Sequence, residues 1–197
     1  MKWSVFLHRI HNEFLNGEAF NDFRHSIVTE QDLTTFSALR IREIMAKSYG
    51  LKKNSKTLIE NVTFRSGQTA EDKKAYSKAK QDRWVFIHDV FAAPDIMIQD
   101  PLSPKNFLPI EIKLLKGKGS CQAMATAIGQ SLIYNTKYPY TLVFLGVLRS
   151  AKWGKYKFRC EANEDEIHFY NTLKTMNVDI ITRMAPAATQ NPPPVAT

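Results

Sequence analysis

Only two cysteines, Cys121 and Cys160, occur in the chain, too few for a disulfide framework or a thiolate metal set. A reducing compartment is therefore the default expectation. No apolar run approaches the roughly 20 residues that cross a bilayer, and the first residues lack the unbroken apolar core of a signal peptide. Glu13, Glu18 and Asp22 follow closely and argue against a mitochondrial address. The expected location is cytoplasmic, or nuclear in a eukaryote, and not secreted. Acid is scarce relative to base: 19 Asp and Glu stand against 27 Lys and Arg, for a net charge of +8. That balance suits a polyanionic partner. No internal repeat is visible. What remains is 197 residues, 44% hydrophobic and 23% charged, enough for one substantial core. The expectation is one domain over 1–184 with an N-terminal helical region. A flexible Ala/Pro-rich tail over 185–197 follows, which could lead into a further domain.

The most informative stretch runs from Pro94-Asp95-Ile96-Met97-Ile98-Gln99 to Leu108-Pro109-Ile110-Glu111-Ile112-Lys113-Leu114-Leu115. Each half reads as a short strand, and Pro101, Ser103, Pro104 and Asn106 supply turn chemistry between them. Period-two geometry puts Ile110, Ile112 and Leu114 on one face and Glu111 with Lys113 on the other. Pairing of the two strands brings Asp95 beside Glu111. Two carboxylates and a lysine together make a site for a hard divalent cation, with the amine stabilising charge on a phosphate or an attacking water.

Downstream, Leu114 to Gly119 is a basic, glycine-containing loop, and Ser120 to Asn135 reads as a helix with Ser120 as N-cap. Gln122 and Gln130 are its polar exceptions. Thr141 to Leu148 is apolar on both alternating faces, as in a strand covered on each side. Strand, helix and strand then form a parallel crossover unit beyond the hairpin. The order of Pro-Asp strand, Glu-x-Lys strand, basic loop and Gln-containing helix resembles the PD-(D/E)xK superfamily, the restriction-endonuclease-like nucleases. That resemblance implies an α/β fold, a mixed β-sheet flanked by α-helices. It also implies Mg²⁺-dependent (Mn²⁺ as substitute) endonucleolytic hydrolysis of phosphodiester bonds that leaves a 5′ phosphate. Asp95 and Glu111 would be the metal ligands with the Ile112 carbonyl, and Lys113 would be catalytic. Gln130 would lie near the reacting groups, assisted by Gln122. Such nucleases often add a carboxylate from an upstream helix; Glu43 is the first candidate, with Glu30 and Glu60 as alternatives. DNA is the favoured nucleic-acid partner. RNA cleavage of the cap-snatching kind, which would use a histidine such as His88 or His25, is one alternative, and a non-catalytic binding module is the other. A homodimer would suit cleavage of both strands of a duplex.

The remaining chain offers supporting elements. Trp3, Phe6, Ile10 and Phe14 recur at helical spacing. Thr29 with Asp32 forms the start of a capping box, followed by a buried stripe of Leu33, Phe36, Leu39, Ile41, Ile44 and Met45, with Gly50 as terminator. Thr57 to Val62 is open between strand and helix. A polar, lysine-bearing helix is expected over Thr69 to Gln81, and a buried strand over Trp84 to Ile87. Lys116, Lys118, Trp153 and Lys155 are candidates for contact with nucleic acid, the lysines through phosphates and Trp153 by stacking. Ile167–Tyr170 and Val178–Ile181 are read as edge strands.

Overall fold

The computed structural model describes residues 1–21, 27–87, 90–117, 119–148 and 164–184. Its centre is a five-stranded sheet in the order β1-β4-β5-β6-β7. These strands are β1 (Val62–Phe64), β4 (Ile96–Asp100), β5 (Ser103–Leu115), β6 (Thr141–Val147) and β7 (Val178–Met184). Pairing is antiparallel from β1 through β5 and parallel from β5 through β7. Strands β2 (Val85–Ile87) and β3 (Val90–Ala92) form a separate hairpin. The result is a mixed sheet between helical layers, an α/β three-layer architecture.

On one face, α1 (Trp3–Asn16) and α2 (Glu30–Tyr49) pack with a short 3-10 turn at Glu18–Phe20. Phe6, Ile10, Phe14, Phe20, Leu33, Ile41 and Met45 bury there against Phe64, Ile96, Ile110, Ile112 and Phe144. Burying each such side chain is worth roughly 1.5–3 kcal/mol, which holds this face closed. The opposite face is covered by α5 (Ser120–Tyr134) and α6 (Glu164–Thr175), where Ala127 and Leu173 meet Val143, Leu145 and Val178. Helices α3 (Lys56–Asn61) and α4 (Ala70–Arg83) flank β1, so the ambiguous 57–62 segment is helical until its last residue. No helix among the described residues is long and apolar enough to cross a membrane.

Several local expectations change. The strand after Asp100 starts at Ser103, so Pro101-Leu102 alone makes the turn and Ser103, Pro104 and Asn106 belong to β5. Leu39 is 48% exposed rather than buried, because the stripe of α2 shifts to Ala38, Ile41 and Met45. Helix α5 is capped by Gly119, and Ser120 lies inside it, its hydroxyl accepting from the Gly117 N–H. Only Val85 of the β2 segment is buried; Phe86 is 56% exposed, since the hairpin stands apart from the main sheet. Ile167–Tyr170 is the interior of α6, whose first turn carries Glu164, Asp165 and Glu166, favourable at the positive end of a helix dipole. Cys160 and the tail lie outside the described residues.

Candidate metal centre

Register alone assembles the centre. Ile96 pairs with Ile110 and Phe64 with Ile96, so just past the ends of β1 and β4 the next row is continued by Arg65 and Asp95 beside Glu111 of β5. Their neighbours in that row are Val143 and Ile180. Because side chains alternate along each strand, this row faces the α5 layer while Phe64, Ile96 and Ile110 face α1 and α2. The row is joined through the backbone as well. The Arg65 N–H donates to the Asp95 carbonyl at 3.0 Å, and the Ile112 N–H donates to Asp95 Oδ2 at 2.9 Å.

Lys113 lies one side-chain repeat further along β5. Its Nζ is 2.8 Å from Glu111 Oε1, 3.8 Å from Asp95 Oδ2 and 3.1 Å from Glu30 Oε1. The third carboxylate therefore comes from the amino end of α2, not from Glu43. Glu43 pairs with Arg40 at 2.7 Å and is half exposed; at 1.5 Å per residue it sits about 20 Å along the helix from Glu30. Glu60 is likewise absent from the cluster, lying 3.9 Å from Lys56.

Helix α5 covers the row from above. The Tyr134 hydroxyl donates to Glu111 Oε2 at 2.9 Å, leaving Glu111 1% exposed. Since β5 and β6 are parallel, the connecting α5 runs back against β5. Gln130 is one helical turn before Tyr134, about 6 Å, which matches two strand residues and sets it level with Lys113. Its Oε1 is buried and has no hydrogen-bond partner among the described residues. Gln122 is exposed on the first turn of α5. The Lys116 ammonium donates to the Val28 carbonyl at the surface. Lys118, Trp153, Lys155, His25 and His88 fall outside the described residues.

Burial, and then the adjacent Asp95 carboxylate, push Glu111 up to about 7 from 4.5 against the pull of Lys113. Burial also raises Asp95, although Lys113 and the Ile112 N–H oppose it. For Lys113, burial works toward a neutral amine, but Glu111, Asp95 and Glu30 outweigh it and hold the ammonium above its usual range. Lys113 stays charged because three carboxylates share it, while burial and Asp95 hold the Glu111 proton to higher pH despite the donors Lys113 and Tyr134.

Among the described residues no group of three or more His, Cys, Asp or Glu is disposed to hold a metal ion as it stands. The Lys113 ammonium is itself the cation between Glu30, Asp95 and Glu111. The donor type is nevertheless one that a hard divalent ion takes: carboxylate oxygens, which become acceptor-only once ionised, and the unpartnered buried oxygen of Gln130 on the covering helix. Neither residues Arg65 and Tyr76 nor Tyr134 stood out in the sequence. Tyr134 did carry a readable signal, since Gln130 and Tyr134 are spaced for one helix face. No protein-family model, curated protein or solved structure matches the chain.

Proposed function

We propose that this chain is a metal-dependent endonuclease of the restriction-endonuclease-like kind that hydrolyses phosphodiester bonds, with DNA the favoured substrate. The observation that carries this reading is the meeting of Asp95, Glu111 and Lys113 on one face of a β-hairpin, within 3.8 Å of the shared ammonium. Asp95 and Glu111 would hold Mg²⁺ or Mn²⁺ with the Ile112 carbonyl, and Glu30 takes the part expected of Glu43. When bound, the ion supplies Lewis-acid polarisation of a phosphoryl oxygen and acidifies a coordinated water.

The chain's own groups do the rest. Tyr134 fixes the Glu111 carboxylate through its hydroxyl, leaving the other oxygen toward Lys113. The Lys113 ammonium, freed from part of its carboxylate contact, orients the attacking water and offsets the charge that develops on the phosphoryl oxygens. Gln130 can both donate to and accept from that water. Water adds across the P–O3′ bond, its oxygen staying on phosphorus as the 5′ phosphate and a proton passing to the departing 3′ oxygen.

A panel of linear, branched and single-stranded DNA plus RNA, each with EDTA, Mg²⁺ or Mn²⁺, tests the reading. The expected result is cleavage with either metal, none in EDTA, and none by Glu111→Ala. The engagement of Lys113 by three carboxylates favours a second reading, a nucleic-acid-binding module without catalysis. Binding without cleavage under every metal would establish that alternative, and exclusive cleavage of RNA would transfer the substrate class.

A further inference from the structure

The acidic row has a second cation at its outer end. Arg65 follows β1 directly, and its N–H donates to the carbonyl of Asp95, the residue just before β4, on the side away from Glu111. Its side chain is exposed, and among the described residues its guanidinium makes no hydrogen bond or ion pair. Lys113, by contrast, is committed to three carboxylates. A polyanionic strand entering this site meets Glu30, Asp95 and Glu111, whose charge opposes its approach. Lys113 alone is outnumbered there, so an additional free cation is needed beside the row. Arg65, in the turn just after β1 and near enough to Asp95 to act on its charge, is that cation.

We propose that Arg65 holds a phosphate of the substrate strand, the phosphodiester next to the one cleaved, so that Arg65 marks one end of the nucleic-acid path across Asp95 and Glu111. The assignment rests on the nuclease reading and extends it to a substrate with at least two consecutive phosphates. Two strand spacings, about 10 Å, separate the Arg65 and Glu111 backbones, which places the guanidinium beyond the reacting group instead of on it. A guanidinium fits phosphate oxygens with two parallel N–H donors. Tyr76, from α4 packed against β1, faces Arg65, Asp95 and Glu111; burial keeps its hydroxyl protonated and therefore able to donate.

Arg65→Gln and Arg65→Lys separate this role from a structural one. Binding is measured first, by anisotropy of a short fluorescein-labelled single-stranded oligodeoxynucleotide in EDTA over a series of salt concentrations. Arg65→Gln should weaken binding about tenfold at low salt and make the dependence of log affinity on log salt shallower by about 0.7, one phosphate contact. Arg65→Lys should restore the slope but not the full affinity, because charge returns without the planar fork. In cleavage assays the loss should fall on KM more than on kcat. It should also vanish with a dinucleotide, which has a single phosphodiester. Unchanged affinity and slope in Arg65→Gln overturn the assignment. So does a fall in kcat alone with the salt slope intact, since Arg65 would then merely organise Asp95. Absence of metal-dependent cleavage by the unaltered protein sinks the nuclease reading by itself, and the salt slopes still report on Arg65. Failure of the unaltered protein to bind at low salt overturns both.

Discussion

Glu111 couples the charge of the centre to the stability of the fold. Its folded value of about 7 lies above the ordinary 4.5 because burial and Asp95 disfavour its charge. Its stabilising contribution is therefore complete below about pH 4.5 and is lost as pH rises through about 7. In EDTA the urea midpoint should fall between pH 5 and pH 8, by a free energy of a few kcal/mol. Glu111→Gln should remove most of that fall and leave the metal-free protein more stable at pH 8. Parallel pH profiles for the two proteins would remove Glu111 as the titrating group. Lys113→Ala makes the reverse change, leaving buried carboxylates without their common cation. It should lower kcat about a hundredfold or more with the circular-dichroism spectrum retained. At pH 8 it should cost about 3 kcal/mol, and less at pH 5, where Glu111 is protonated. Normal turnover by this variant would exclude the lysine from the chemistry. Asp95, Glu111 and Lys113 were legible in the sequence because hairpin pairing and period-two alternation fix them locally. The upstream carboxylate was legible only as a choice among Glu43, Glu30 and Glu60, with Glu43 put first, since the apolar stripe of α2 tells which face is buried but not which end approaches the hairpin. Arg65 and Tyr76 depend on how β1 and α4 meet the sheet, which no local pattern encodes.

Helix α2 delivers Glu30 to Lys113, and its amino end is held by a reciprocal box. Thr29 accepts from the Asp32 N–H at 3.1 Å while Asp32 accepts from the Thr29 N–H at 2.8 Å. The other end stops at Gly50, whose φ of 65° is left-handed, a conformation that penalises a Cβ. Two substitutions exploit this asymmetry. Thr29→Ala and Gly50→Ala should each cost about 1 kcal/mol in urea denaturation. Only Thr29→Ala should also reduce cleavage, because it loosens the turn carrying Glu30. Equal activity losses in both would mean that α2 acts through global stability and not through Glu30. Both caps were visible in the sequence, as were the crossover of β5, α5 and β6 and the full burial of β6. Short apolar runs were less readable. Ile167-His168-Phe169-Tyr170 has strand-like composition, yet three preceding acids and tertiary packing of Leu173 make it helix. At β2 the composition showed apolar content but could not reveal that the hairpin would leave Phe86 and Phe91 outside.

At the scale of the whole molecule, the last described strand fastens the first helix. Asp179 and Arg183 share the face of β7 that carries Ile181 into the α1 core. The Arg183 guanidinium donates to the carbonyls of Leu15 at 2.8 Å, Gly17 at 3.1 Å and Phe14 at 3.3 Å, and to Asn21 Oδ1. These carbonyls belong to the carboxyl end of α1 and the turn after it, where the helix leaves acceptors unpaired and its dipole favours a cation. Asp179 adds a second fastening through His11 at 2.9 Å, and the Tyr140 hydroxyl donates to the same oxygen at 3.0 Å. The clamp works on the face opposite the acidic row, so stability and chemistry should separate. Arg183→Met keeps the aliphatic stem but removes every donor, and should cost about 2–3 kcal/mol, the scale of charge-assisted hydrogen bonds. Hydrogen exchange should accelerate first in the amides of α1, ahead of those in β5 and β6, while cleavage at temperatures below unfolding is kept. If α1 stays protected and β7 opens instead, the helix is held by its apolar face alone and Arg183 merely satisfies carbonyls that water could serve.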